Sequence, residues 1–289
     1  MLRIADKTST VFLYDSIGEI DLKQVPTNIE SNTKLFNSIV DRHDYDEYES
    51  NRWFGAPSQA EAEKRMRFGW AEGADRLQEI ATKQIEFKSL RRRRFKSDQG
   101  DELDIHAVYR GDLSTCWTST KRLNRSGGKR SISLISDISC HAGERSDELF
   151  WAGAAVLKLA ETLSESGYSV AIYGASGTCK IGDGKTKLEI ANFVELKSED
   201  APLDVSNLAS IIAMPAYKRI HIHGAMVKEA DDRNFKCDAG LGIPSHELIG
   251  ESVHKLPIPQ NAFVQPKVRN KQQAEEWIDS VLNQIQPQD

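Results

Sequence analysis

Apolar residues recur at helical spacing early in the chain, then in a strand–helix–strand order from residue 131 onward. After Pro57, Ser58 and Glu61 form a Ser-x-x-Glu capping box, and Met66, Trp70, Ala74, Leu77 and Ala81 follow at three- and four-residue spacing. That pattern predicts one helix from 58 to about 84, with Arg65, Glu72, Asp75, Arg76 and Glu79 away from its apolar face. Gly69 and Gly73 sit one turn apart and would permit close backbone approach. Leu103, Ile105, Ala107 and Tyr109 alternate with polar residues, as in a half-buried strand ending before Gly111.

The second half is more regular. Residues 132–136 read as a strand, 147–166 as a helix stopped by Gly167, and 168–173 as a second strand. The helix body LFWAGAAVLKLAETL is apolar over most of its circumference, so it is expected to lie buried against a sheet. A strand, long helix and strand of these lengths make a βαβ unit with parallel neighbours. Residues 188–196 suit a strand returning in a hairpin as the antiparallel edge, and 204–213 a helix ended by Pro215. Residues 220–227 fit either a strand or a helix begun at Pro215, 253–258 fit a late strand, and Asn270 and Gln273 cap a last helix. Its predicted buried stripe is Ala274, Trp277, Ile278, Val281 and Ile285. The resulting division is a peripheral arm at 1–50, a helical front region at 51–125 and an α/β domain at 131–287, with NRSGGKR (124–130) as linker.

Composition narrows the function classes. At 289 residues and 39% hydrophobic content the chain can bury a sizeable core, and a net charge of -5 disfavours a general nucleic-acid binder. The basic run LRRRRFK (90–96) and the acidic run DRHDYDEYES (41–50) are read as solvated surface. Cys116, Cys140, Cys179 and Cys237 are widely spaced, against a disulfide framework or zinc knuckle and for a reducing cytoplasm. No apolar run approaches the ~18 residues of a membrane span, and the N-terminus lacks the pattern of a signal peptide.

The candidate chemistry gathers at one strand end. Asp137, Ser139 and His141 follow the strand at 132–136, at the carboxyl edge where open α/β sheets bind ligands. The sequence Asp-Ile-Ser-Cys-His resembles the first metal-site loop of von Willebrand factor A domains, normally Asp-x-Ser-x-Ser, and the element order of 131–285 is similar to theirs. The resemblance implies a Rossmann-like, mostly parallel sheet and a magnesium ion held by Asp137 and Ser139. Ser206 or Asn207 and Asp238 would stand for the family's later ligands, and a partner's carboxylate would complete the shell. His141 in place of the second serine departs from the pattern, since imidazole suits zinc or nickel better.

The nearest flavour is the intracellular kind that works beside an AAA+ ATPase. WFGAPSQAEAEKRMRFGWAEG (53–73) resembles the front part of tailed-phage proteins, which implies a viral protein acting in host cytoplasm. The expected function is a non-enzymatic interaction or assembly module whose partner face comprises Asp137, Ser139, His141, Asn207 and Asp238. The alternative is a metal-dependent hydrolase or nuclease using His141 with His221 or His223, and acidic loops. As a strand, 220–227 would set His221 and His223 on one face, with His246 or Cys237 as further zinc ligands; on a helix they diverge by roughly 200°. CKIGDGKT (179–186) ends like a phosphate-binding loop but lacks its first glycine and following helix, and no Gly-x-Ser-x-Gly elbow occurs.

Overall fold

In chain order, strands β1 (Leu2–Ala5) and β2 (Ser9–Tyr14) are followed by helices α1 (Glu30–Val40), α2 (Glu47–Phe54), α3 (Gln59–Phe68) and α4 (Ala71–Arg76). Next come β3 (Arg92–Ser97), β4 (Glu102–Leu103), α5 (Ile105–Tyr109), β5 (Trp117–Arg122), β6 (Ser131–Asp137) and α6 (Ser146–Glu165). The chain continues through β7 (Ser169–Ile181), β8 (Lys187–Lys197), α7 (Val205–Ile212), a π-helical turn (Lys218–Ile222) running into α8 (His223–Asp232), β9 (Ile243–Pro244), α9 (His246–Val253), β10 (Ala262–Val264) and α10 (Lys271–Ile285). This computed structural model describes residues 1–41, 45–82, 92–97, 102–122, 131–141, 143–181, 187–237, 241–259 and 261–285. Met1–Lys83 and Ser131–Asp289 form one unit, and Gln84–Arg130 a second.

The main unit is α/β, built on a sheet of order β1-β2-β8-β7-β6-β10, with β9 also on β7. β6 lies parallel to β7 and β10, with Asp137 level with Ala175, and α6 makes the crossover expected of a βαβ unit. β7 and β8 form the predicted antiparallel hairpin; its turn, 182–186, lies outside the described residues. β8 is not the edge, because β2 pairs with it in parallel and β1 follows antiparallel. The sheet is therefore mixed, with helices flanking it. Ile135, Tyr173, Phe193 and Leu13 pack on Leu248, Ile249, Val253 and Leu256 of α9 and its exit. On the opposite face, Gly174 meets Ile212 of α7, while α6, apolar nearly all round, is buried between the sheet, α7 and α10.

Residues 1–50 join this unit rather than forming a peripheral arm, and two buried acids of α8 supply the reason. Glu229 accepts hydrogen bonds from Arg3 (2.8 Å), Thr10 Oγ1 (2.6 Å) and Arg233 Nε (2.8 Å), pinning β1 and β2 to α8. Burial opposes its ionisation, but the bonds from Arg3, Thr10 and Arg233 hold its pKa below the ordinary carboxylate value. Asp231 receives the backbone amides of Thr27, Asn28 and Ile29 at 2.9–3.0 Å. It thereby serves the start of α1, where the N-cap position, Ile29, offers no side-chain cap.

Other boundaries also move. Ser58 caps α3 as expected, its hydroxyl accepting from Glu61 N, but the helix ends at Gly69 instead of continuing to 84. Gly69 has φ +90° and ψ 167°, a conformation essentially confined to glycine, and Trp70 N then bonds Ser206 O. The predicted late strand at 253–258 is largely replaced by the end of α9 and a turn, and the late strand is β10. The open segment 220–227 is helical. Asn270 caps α10 by accepting from Gln273 N, and the buried stripe is Ala274, Trp277, Ile278, Val281 and Leu282.

The second unit is a three-stranded antiparallel sheet, β3-β5-β4. Much of the basic run lies on β3, paired with β5 from Arg92↔Arg122 to Ser97↔Trp117. The strand predicted at 103–109 survives only as Glu102–Leu103. Asp104 Oδ1 accepts from Ala107 N and starts α5 instead, while its Oδ2 accepts from Lys96 Nζ at 2.9 Å.

Candidate functional site at the end of β6

Asp137 stands where the β6–β7 ladder stops, and its side chain folds the chain back on itself. Its Oδ1 accepts the backbone N–H of Ser139 at 2.8 Å, an Asx turn. Ser139 Oγ then accepts from Gly177 N of β7 at 3.1 Å, with the serine 8% exposed. A Cβ at position 177 would fall 2.5 Å from Ser245 O, so only glycine lets α9 start this close to β7. Ser245 N donates to Gly177 O, and Ser245 Oγ caps α9 by accepting from Leu248 N. These contacts place the first residue of α9 over the strand end. His246 Nδ1–H donates to Asp137 Oδ2 at 3.0 Å. The hydrogen bond and charge of Asp137 raise the imidazole pKa above its ordinary value, against partial burial.

The rest of the loop is held from both sides. His141 N donates to Glu144 Oε2 at 2.7 Å, and the exposed His141 ring turns Nδ1 inward to accept from Gly143 N. Glu144 also pairs with Lys267 and with Arg269 Nη2 at 3.2 Å. Burial alone would raise its pKa; the Lys267 and His141 hydrogen bonds and the nearby cations leave it lowered. From below, Arg219 of the π-helical turn is 1% exposed and spends its guanidinium on carbonyls. Nη2 reaches His141 O (3.1 Å) and Glu144 O (2.9 Å), and Nη1 reaches Trp53 O (2.6 Å) and Arg52 O (3.3 Å). The guanidinium also lies over the Trp53 ring at 4.2 Å. Lys218 beside it is buried against His223, five residues on, a spacing that the wider turn of a π-helix brings together. Burial lowers the Lys218 pKa, opposed by Cys140, Asp137 and Glu144.

Of the residues singled out from sequence, the fold unites Asp137 and Ser139 and leaves His141 on the rim. Asn207 is elsewhere: it follows the cap of α7, its N–H donating to Asp204 Oδ1, and it lines a different cleft with Asp15, Glu195 and Ser198. Asp238 lies outside the described residues. His221 is buried and stacked on Tyr217 at 5.1 Å, and its pKa is lowered by desolvation. The helical conformation separates it from His223, so the zinc pair that required a strand is not formed. Among the described residues, no group of three His, Cys, Asp or Glu is placed to hold a metal ion.

Magnesium coordination by Asp137 and Ser139 does not fit this arrangement. One Asp137 oxygen is turned to a backbone amide and the other to an imidazole, while the Ser139 oxygen faces an amide. Glu144, Arg219, Lys267 and Arg269, which define the site's electrostatics, were not singled out by motif, because they come from separate elements and bond mainly through loops and backbone. His246, a zinc-ligand candidate from sequence, is placed instead by the Ser245 cap of α9 and bonds Asp137.

No helix among the described residues is long and apolar enough to cross a membrane. Searches of curated proteins and of solved structures found no match to the chain. One family, described as a domain of unknown function (DUF7192), matches residues 7–288, spanning both units and the strand-end site. The chain therefore belongs to the DUF7192 family.

Proposed function

We propose that this chain is a non-enzymatic interaction module of von Willebrand A-like architecture, whose strand-end face receives a protein partner without a metal ion. The observation that carries this reading is the His246–Asp137 contact, which supplies a cation at the carboxylate that magnesium would otherwise serve. Around it, Lys267, Arg269 and His246 remain about half exposed, whereas Asp137 and Glu144 are nearly covered. The face thus offers positive charge outward, complementary to an acidic partner segment. Ser139 and Cys140, the nucleophiles nearest the loop, are buried, which favours binding over catalysis here.

Site-specific photo-crosslinking tests this reading. A photoreactive residue at the exposed Gly143 should capture a defined protein from the native cell extract, and one at Ser198, beside the Asn207 cleft, should not. Lys267→Glu with Arg269→Glu should abolish capture, while EDTA leaves it unchanged. Loss of capture in EDTA would restore the metal mechanism, and equal capture from both positions would remove the face.

A further inference from the structure

A second concavity in the main unit lies between α2, α4, the start of α6 and the 213–215 link, with a volume of about 350 Å³. That size is within the range of small-molecule sites, roughly 300–1,000 Å³. Its inner wall is apolar: Phe150 and Met214 are buried, and Trp70 meets Phe150 edge-on at 6.0 Å. The exposed Tyr48 stands among the lining residues.

Three guanidinium groups line the same cleft, and their charge is unevenly answered. Arg76 lies 4.2 Å from the Phe150 ring centroid and pairs with Asp147 Oδ1 at 3.2 Å and, more loosely, with Glu79 at 4.0 Å. Among the described residues neither Arg52 nor Arg145 forms an ion pair, and Asp147, the carboxylate that shares the cleft lining, is held by Arg76. The backbones behind them are fixed, because Arg219 holds the carbonyls of Arg52 and of Glu144, the neighbour of Arg145. These two cations, unpaired among the described residues, therefore project from rigid supports around a cavity with an apolar wall.

We propose that this cleft binds a phosphorylated small molecule of about mononucleotide size, with Arg52 and Arg145 on the phosphate and the body of the ligand against the Trp70–Met214 wall. A phosphate dianion answers two guanidiniums at once, through planar donor pairs suited to its oxygens, whereas a single carboxylate would leave one uncompensated. The aromatic and apolar wall selects a ligand with a flat or nonpolar body over a free ion. The assignment is independent of the strand-end face.

Calorimetric titration of the full chain with the common ribonucleoside monophosphates, their nucleosides and inorganic phosphate tests it. At least one monophosphate should bind saturably, at least tenfold tighter than its nucleoside and than inorganic phosphate. Arg52→Ala combined with Arg145→Ala should weaken that binding at least tenfold, equivalent to about 1.4 kcal/mol. Both side chains belong to exposed residues, so an unchanged near-ultraviolet circular dichroism spectrum is expected to show that the variant retains its fold. Absence of saturable binding by every monophosphate, equal binding of nucleoside or phosphate, or unchanged affinity in the double variant would overturn the proposal.

Discussion

The hydrogen bond to Asp137 favours the charged form of His246, and the consequence depends on pH in a defined direction. Because the folded His246 pKa is raised, its contribution to stability is complete below the ordinary imidazole value and is lost as pH rises through the raised value. Urea unfolding of wild type and His246→Ala should therefore diverge most at mildly acid pH and converge at alkaline pH. A gap that grows with pH would contradict the pairing. Arg219 makes a stronger claim on stability. Replacing it by alanine removes the guanidinium donors of four carbonyls, those of Arg52, Trp53, His141 and Glu144, of which His141 O keeps the Glu144 amide, and it empties a buried volume. Denaturant titration of Arg219→Ala should show a loss of at least about 3 kcal/mol. Asp137 and Ser139 were legible as neighbours because a strand-end loop keeps them together in sequence. Arg219 was not, since a buried arginine bonded to distant carbonyls leaves no periodic trace.

At the scale of elements, local capping chemistry was read well. Ser58 and Asn270 carry side-chain acceptors that act within a single turn, and both predicted caps form. Failures came where a tertiary contact, or a local cap hidden under an alternating pattern, overrode the periodicity. Gly69 breaks an otherwise helical repeat to let Trp70 bond Ser206, and Asp104 turns an alternating sequence into α5. The start of α9 shows how such an element serves the site. Gly177→Ala would drive a methyl group into Ser245 O, costing about 1–3 kcal/mol by thermal or urea unfolding. The same variant should loosen His246 from Asp137 and lower the imidazole pKa toward its ordinary value. A neutral effect on both stability and pKa would mean that α9 is not fixed through this contact.

For the whole molecule, the α/β class and the βαβ unit were legible because their pattern is local and continuous in the second half of the chain. The recruitment of β1 and β2 was not, since it rests on pairings with β8 and on Glu229, far away in sequence. Deleting residues 1–20 should accordingly abolish cooperative unfolding of the main unit, as followed by circular dichroism. Replacing 84–130 with a flexible linker should leave that unfolding cooperative, because this segment forms a separate compact unit. Loss of cooperativity in the second variant would show that the two units fold as one. The central claim, that a histidine serves the strand-end carboxylate in place of a metal, is tested most directly by NMR titration of the His246 imidazole. We expect a raised pKa in wild type, its return toward the ordinary imidazole value in Asp137→Asn, and no change on adding magnesium. An unraised value, or one that falls when magnesium is added, would contradict the claim.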